Sequence, residues 1–272
     1  MKRRRSVSKL TRGFVRAVLL GSAVFLSSAA PLLAQGAPQD KTPDDWWFQV
    51  TPYLWAAGIN GGVTTGDFTV PIDASFGDIW SKLKFAFSAH AEFGKGRVLG
   101  GIDFLTMKVG EDSIPLAAPE LGRSGDFRFT VIQTELFGAY RFGGFDRPTR
   151  LDLLAGVRYN YQDQDLVIRD TPIDKFRGFQ EAWVDFFAGA RFGADLGRRW
   201  YVSARADAGG GGAKFTANAA AGLGFRILSW FDVDLGFRYL FINYADGVPG
   251  SPAFYAYNAD QYGVLLGFSF RF

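Results

Sequence analysis

Hydrophobic and polar residues alternate along the last stretch of the chain, Tyr257–Phe272. Every second position there carries a bulky apolar side chain: Tyr262, Val264, Leu266, Phe268, Phe270 and Phe272. The positions between them are mostly small or polar: Gln261, Gly263, Gly267, Ser269 and Arg271. Because successive side chains of a strand point to opposite faces, this pattern predicts a β-strand with one apolar face and one small, polar face.

The same alternation recurs in nine earlier segments and predicts ten strands in total. The earlier segments are Trp47–Ile59, Lys84–Gly94, Val98–Val109, Asp126–Phe142, Arg150–Gln162, Glu181–Ala194, Trp200–Ala208, Phe215–Ile227 and Phe231–Asn243. The connections alternate between long and short, apart from Gly209–Lys214, which is shorter than this alternation predicts. Short turns at one end and longer loops at the other are typical of membrane-spanning barrels.

We therefore predict an all-β fold, an antiparallel transmembrane β-barrel of about 10 strands with both chain ends in the periplasm. A hairpin within Val63–Phe76 would raise the number to about 12, and loss of one weak hairpin would lower it to about 8. Pro52 lies inside the first strand and predicts a local bulge, since proline cannot donate a hydrogen bond to a ladder.

The segment Ala74–Leu83 breaks the period of two. Ser75 or Asp78 is suited to cap a short helix that carries Ile79 and Trp80. Two positions for this helix remain open: a plug in the barrel mouth, or an amphipathic turn on the outer rim.

The N-terminal sequence has the features of an export signal. Seven Lys or Arg residues precede the apolar segment Ala17–Ala34, which ends in small residues. This order predicts a signal peptide over 1–34, although an uncleaved anchor is the alternative. Residues 35–46 are then a flexible periplasmic lead-in, and 47–272 form the barrel.

Charge and composition narrow the class of protein. The whole chain carries +3, but residues 1–34 hold seven positive and no negative charges, so the rest carries −4. The basic balance therefore belongs to the signal and predicts no nucleic-acid partner. There is no cysteine, which excludes disulfides, thiol catalysis and cysteine-based metal sites, and no cofactor is predicted.

Charged residues recur on the face predicted to point inward. The carboxylates are Glu92, Asp103, Glu135, Asp152, Asp185, Asp207 and Asp234, and the arginines are Arg141, Arg158, Arg191, Arg205, Arg226, Arg238 and Arg271. A barrel of eight strands is about filled by its own side chains, whereas 16–18 strands leave a channel. Two hypotheses follow: a filled, charge-paired interior with a structural or interaction role, or a narrow channel for small solutes.

Ser88, His90 and Glu92 share one face of the second strand and are the residue types of an acyl-transfer triad. The Cα atoms of alternate residues in a strand lie ~6–7 Å apart, which is loose for a hydrogen-bonded chain. A membrane-embedded lipid hydrolase is therefore the least favoured hypothesis, and no enzymatic activity is predicted.

Two further sets of residues bear on the membrane. Trp47, Tyr140, Tyr159, Tyr239, Phe270 and Phe272 are predicted to form the aromatic girdle. Asp163, Asp165, Asp170 and Asp174 crowd a predicted outer loop. This loop is either a solvated surface or a contact with lipopolysaccharide through divalent cations.

Several segments together resemble a group of small Gram-negative outer-membrane β-barrel proteins, of the OmpA and OmpW kind. They are 51–61 (TPYLWAAGING), 73–79 (DASFGDI), Asp103 within GIDFL, 188–192 (AGARF), 207–212 (DAGGGG), 235–240 (LGFRYL) and the terminal Phe272. The resemblance implies a barrel in the bacterial outer membrane, in contact with outer-membrane lipids and lipopolysaccharide. It also implies recognition of the terminal strand by the barrel-assembly machinery, and it implies no substrate or catalytic residues.

Overall fold

The computed structural model describes residues 45–66, 68–115, 124–143, 148–169, 175–251 and 253–272. Its elements in chain order are β1 (Trp46–Thr65), β2 (Phe68–Ala74), α1 (Phe76–Ser81), β3 (Leu83–Lys95), β4 (Val98–Pro115), β5 (Ser124–Phe142), β6 (Thr149–Arg169), β7 (Lys175–Asp195), β8 (Trp200–Gly211), β9 (Phe215–Leu228), β10 (Phe231–Asp246) and β11 (Tyr255–Arg271). The predicted signal peptide 1–34 and nearly all of the lead-in 35–46 lie outside these residues, as do Asp170 and Asp174. In the described part of the chain, no helix is both long and apolar enough to cross a membrane.

The strands close into a ring. From β3 to β11 each strand pairs antiparallel with the next, and β11 returns to pair with β1, as in the pair Leu54–Leu266. β1 pairs with β3 near the chain termini and with β2 at the other end, so β2 occupies the same place in the ring as β3. The predicted ten-strand antiparallel barrel is thereby confirmed. The hairpin expected within 63–76 exists, with Val63 opposite Val70, but it does not widen the ring.

The outer wall carries an apolar band. Exposed side chains on this wall include Leu54, Phe87, Ile102, Leu136, Leu153, Phe186, Leu235, Phe237, Val264 and Leu266. The alternate positions of the same strands are buried inside the barrel, and many of them are polar or charged. This apolar-out, polar-in arrangement is the reverse of a soluble barrel, and it matches a closed sheet whose backbone bonds are satisfied within a bilayer.

The predicted girdle needs one correction, at Trp47. Trp47 points into the barrel and is only 4% exposed, whereas Trp46 is 63% exposed on the outer wall. The reason is parity: Trp47 lies two residues before the buried Gln49 on β1 and therefore shares its inward face. Trp46 contacts Phe93 at the rim, with ring centroids 6.4 Å apart. Side chains of the other predicted girdle residues lie on the outer wall: Tyr140, Tyr159, Tyr239, Phe270 and Phe272.

The short helix α1 lies in the barrel wall. Ser75 caps it, and the Asp78 carboxylate accepts a hydrogen bond from the Ser75 backbone N–H, completing a capping box. The ladder between β1 and β3 ends at the pair Pro52–Ala89, and β1 finds its next partner on that side only from Ile59, opposite β2. Helix α1 follows β2 directly and packs against β1, with Ile79 buried in the barrel core. It is therefore neither a plug in the mouth nor a turn resting on the rim.

The hairpin between β8 and β9 is short, which explains the short connection noted in the sequence. β8 ends at Gly211 and β9 begins at Phe215. Above this hairpin, Trp183 of β7 stacks on Tyr244 of β10 with ring centroids 4.1 Å apart. A Cβ at Gly212 would come within 2.6 Å of the Trp183 side chain, so the close approach of this ring requires glycine there.

Candidate functional site

The barrel interior holds the charged residues singled out in the sequence. All of them lie on the inner wall and are at most 8% exposed: Glu92, Asp103, Glu135, Arg141, Asp152, Arg158, Asp185, Arg191, Arg205, Asp207, Arg226, Asp234, Arg238 and Arg271. Alternation explains their orientation, because each sits one residue away from an outward apolar neighbour. Burial on this scale requires partners, since an unpaired buried charge is very costly.

A first cluster spans the interior around Arg191. The guanidinium of Arg191, on β7, donates two hydrogen bonds of 2.7 Å to the two carboxylate oxygens of Glu92, on β3. It also donates to Asp152 Oδ2 from Nη2 at 2.8 Å and from Nε at 3.1 Å. Between β3 and β7 the ring contains β4, β5 and β6 on one side and five strands on the other. The contact therefore crosses the barrel from wall to wall.

Arg141 completes this cluster. Its Nε and Nη2 donate to the two carboxylate oxygens of Asp152, at 2.8 and 2.9 Å. Two arginines thus face two carboxylates, and the cluster is neutral. Such forked, two-bond contacts use the planar geometry of the guanidinium group, which lysine cannot reproduce.

A second cluster centres on Arg158. Its Nε donates to Glu135 at 2.6 Å, and its Nη2 donates to Asp207 at 3.0 Å. Arg205 lies within 3.2 Å of Glu135 and 2.8 Å of Asp207, so two arginines again face two carboxylates. Both guanidinium groups lie over the ring of Phe187, 4.8 and 5.4 Å from its centroid. Through these cation–π contacts, one aromatic ring packs against both guanidinium groups of the cluster.

A third cluster lies toward the chain termini. The Tyr201 hydroxyl donates to Asp234 at 2.5 Å and also lies 3.0 Å from an oxygen of Asp232. Ser269 donates to the second oxygen of Asp234 at 2.9 Å, and Arg271 pairs with Asp232. Asp232 is a buried carboxylate that the sequence reasoning did not include. Its position two residues before Asp234 on the same face could have identified it.

Arg238, Asp103 and Asp185 have partners in the middle and outer parts of the barrel. Arg238 lies 4.8 Å over the ring of Trp55 and donates to Asn218 at 2.5 Å. Asp103 accepts a hydrogen bond from the Tyr53 hydroxyl at 3.0 Å. Asp185 accepts from the backbone of Ala213 at 2.6 Å, which ties the β8–β9 turn to the inner wall.

The outer half of the interior is apolar and aromatic, which the sequence reasoning missed. Its buried side chains include Ile59, Ile79, Leu105, Met107, Phe129, Val131, Leu240, Ile242, Tyr255 and Tyr257. The signal was available in β11, where Tyr255 and Tyr257 share the inward parity of Gln261. The interior therefore has a charged part toward the chain termini and an apolar part toward the opposite end.

Ser88, His90 and Glu92 do not form a catalytic arrangement. The Ser88 hydroxyl donates to the backbone carbonyl of Tyr53. His90 is 1% exposed, with Nε2 3.3 Å from Glu92 and Nδ1 3.5 Å from Asp103. The imidazole thus lies between two carboxylates while the serine is engaged elsewhere. The described residues contain no cluster of His, Asp and Glu suited to hold a metal ion.

A closed antiparallel sheet, an apolar outer wall and an interior with many buried charged groups define an outer-membrane β-barrel protein. The chain is located in the bacterial outer membrane, which proteins of this kind span with β-strands instead of helices.

Comparisons with known proteins do not assign the chain to a family. No protein-family model matches the sequence, and a search of curated proteins found no match. Among solved structures, the translocator domain of the autotransporter NalP from Neisseria meningitidis is similar at 12% identity and a TM-score of 0.43, with 98% of each chain covered. The transport unit of the autotransporter AIDA-I from Escherichia coli is similar at 8% identity and a TM-score of 0.40, covering 96% of this chain and 98% of that one.

A major outer membrane protein from Thermus thermophilus is similar at 12% identity and a TM-score of 0.37, covering 84% of this chain and all of that one. With TM-scores below 0.5, none of these likenesses bears on the substrate or partner of this chain.

Proposed function

We propose that this protein is a non-conducting outer-membrane barrel with a structural or interaction role. The observation that carries the proposal is the contact of Arg191 with Glu92 and Asp152, which joins opposite walls through side chains that are at most 2% exposed. A solute path through this level would have to separate paired charges. Separating one buried ion pair costs several kcal/mol, on the order of 3–5.

The two four-membered charge clusters support the same proposal. A selective channel needs charges that face water and an ion that can enter and leave. Here Arg158, Glu135 and Asp207 are bonded to one another and have exposed fractions of 0%, 0% and 5%. Charges satisfied in this way offer no coordination to a passing ion. The outer half of the interior adds a second barrier, since apolar and aromatic side chains occupy much of it.

The partners we propose are those that meet the outer wall and the terminal strand. The apolar band is suited to outer-membrane lipids, and the outer end of the wall to lipopolysaccharide. The outward aromatic side chains at the end of β11, with Phe270 beside Trp230 at a centroid distance of 6.3 Å, suit recognition by the barrel-assembly machinery. Nucleic acid is not among the proposed partners.

Solute uptake into vesicles tests the proposal. Residues 35–272, refolded into vesicles, should let small sugars in no faster than protein-free vesicles do. The matched variant E92A/R191A removes one negative and one positive charge, and so it opens the crossing without leaving an unpaired charge. If the unchanged protein takes up sugar faster than protein-free vesicles, and this variant takes it up faster still, the proposal is wrong. The protein would then be a narrow channel that passes through this level.

A further inference from the structure

The outer wall carries a polar groove far from the charged interior. The groove has a volume of about 550 Å³ and is formed by β10, β11, β1 and β2, near the end opposite the chain termini. Its size is within the range of about 300–1,000 Å³ that is usual for small-molecule sites. Gly62, Ala245 and Ala256 leave its floor open, and Asn243, Asn258 and Lys214 are among the side chains around it.

Strand register places the groove directly beyond the apolar band. Tyr239 and Tyr262 lie opposite each other and are 39% and 44% exposed on the outer wall. Two residues further out, Asp260 lies opposite Asn60 on β1. This outward row holds Asn60 and Asp260 beside Phe241, so polar side chains first enter the outer wall here. Tyrosines typically mark the membrane interface, so the groove faces the headgroups of the outer leaflet.

The next row is formed by two amides. Asn258 lies opposite Asn243 on β10 and opposite Gly62 on β1. Neither side-chain amide has a hydrogen-bond partner among the residues that the structure describes. Each asparagine therefore offers two donors and an acceptor to a molecule in the groove. Thr64 and Thr69 close the outer end, their hydroxyls 2.9 Å apart.

The chemistry of the groove distinguishes between kinds of headgroup. A phosphate site needs several cations or a forked arginine, but this groove contains one lysine and one aspartate. The aspartate, Asp260, also accepts a hydrogen bond from the Tyr239 hydroxyl. Paired amides and hydroxyls instead match a neutral polyhydroxyl group, which both donates and accepts. β11, at the centre of the groove, is paired on both sides, with β10 and with β1, so its edge is not offered to a peptide.

We propose that this groove binds the sugar headgroup of an outer-leaflet glycolipid. Asn243 and Asn258 hold the hydroxyls, the glycine and alanine floor admits the sugar rings, and Lys214 meets an acidic substituent at the edge. The proposal rests on the membrane orientation in the proposed function but not on a closed interior.

Binding of fluorescent rough-type lipopolysaccharide to the folded protein in detergent micelles tests the site. The variant N243L/N258L should weaken binding by about tenfold, since it removes two hydrogen-bonding side chains. The matched control T106L/T130L replaces two outward polar residues on β4 and β5 and should change affinity by less than about twofold. Heat-modifiable migration on gels verifies that each variant is folded.

A second variant separates groove occupancy from polarity. Ala245→Trp keeps every polar side chain and fills the groove, and it should also weaken binding by about tenfold. Soluble core oligosaccharide should compete with lipopolysaccharide, and phosphatidylglycerol should not. Equal affinity in the groove variants and the control would overturn the site, and competition by phosphatidylglycerol alone would overturn the sugar as its ligand. If the unchanged barrel conducts ions but N243L/N258L still weakens binding of lipopolysaccharide, the proposed non-conducting function is wrong and the sugar site stands.

Discussion

Arg191 is the residue on which the interior most depends. A single guanidinium satisfies both oxygens of Glu92 and one oxygen of Asp152 while it is 2% exposed. The Coulombic attraction alone does not explain its stability, because removing charges from water costs about as much as pairing returns. The hydrogen bonds to both carboxylates, with Arg141 completing the second, make the arrangement favourable.

Replacing Arg191 should therefore be severe. Arg191→Leu leaves Glu92 buried without its arginine and should lower the free energy of unfolding by about 3–5 kcal/mol. Urea unfolding of the barrel in lipid vesicles, followed by tryptophan fluorescence, measures this loss. Arg198→Leu, on an exposed turn, is the control and should change stability by less than about 0.5 kcal/mol. Equal effects of the two substitutions would show that the crossing contact does not form.

Helix α1 compensates for a weak place in the wall. Between Pro52 and Ile59, β1 has left the β3 ladder and has not yet met β2, as far as the described pairs show. Proline at the point of departure explains why the ladder stops there, since it lacks an N–H. The helix is only six residues long, so its stability depends on its cap and on the burial of Ile79.

Removing the cap should loosen this part of β1. Ser75→Ala should speed amide hydrogen exchange in residues 53–58 by about fivefold, the equivalent of the ~1 kcal/mol that a cap contributes. Mass spectrometry of peptic fragments measures the exchange. Ser75→Asp preserves a capping oxygen and should restore near-normal protection. Unchanged exchange in Ser75→Ala would mean that the helix does not protect the strand.

The same cap has a pH dependence. The hydrogen bond from the Ser75 hydroxyl lowers the pKa of Asp78, which lies on the helix outside the membrane-spanning strands, below its ordinary 3.8. A lowered pKa in the folded state means that the cap stabilises the helix at neutral pH and is lost as the pH falls through that lowered value. Exchange in residues 53–58 should therefore become less protected only in strong acid. A loss of protection near pH 6 would point to another group.

The close approach of β7 and β8 depends on glycine, because a Cβ would meet the backbone of the neighbouring strand. A Cβ at Gly209 would lie 2.0 Å from the backbone oxygen of Phe186, whereas at Gly138 the nearest atom would be 4.0 Å away. Gly209→Ala should therefore destabilise the barrel by about 1–3 kcal/mol, as overpacking does. Gly138→Ala is the matched control and should be nearly neutral in the same urea titration. Equal stability of the two variants would contradict the close approach of β7 and β8.

For the barrel as a whole, local periodicity predicted the strands, while contacts across the interior could not be predicted. Alternation is a property of each segment, so strand number and the inward faces of β3 to β11 followed from sequence alone. The face of Trp47 was wrong because adjacent residues of a strand point to opposite faces, and the outward residue here is Trp46. The partnership of Glu92 with Arg191 depends on ring closure and strand tilt, which no single segment encodes. The apolar outer half of the interior was missed although local parity indicated it, since Tyr255 and Tyr257 share the inward face of Gln261.

Ion conductance tests the closed interior most directly. Residues 35–272, refolded and inserted in a planar bilayer, should give no discrete current steps at any voltage the bilayer withstands. Insertion is verified independently by heat-modifiable migration and by protease protection of the strands. Silence from an inserted barrel is the result that paired charges across the interior predict. Reproducible unitary steps, shifted in ion selectivity by E92A/R191A, would contradict it and make the charged clusters the lining of a pore.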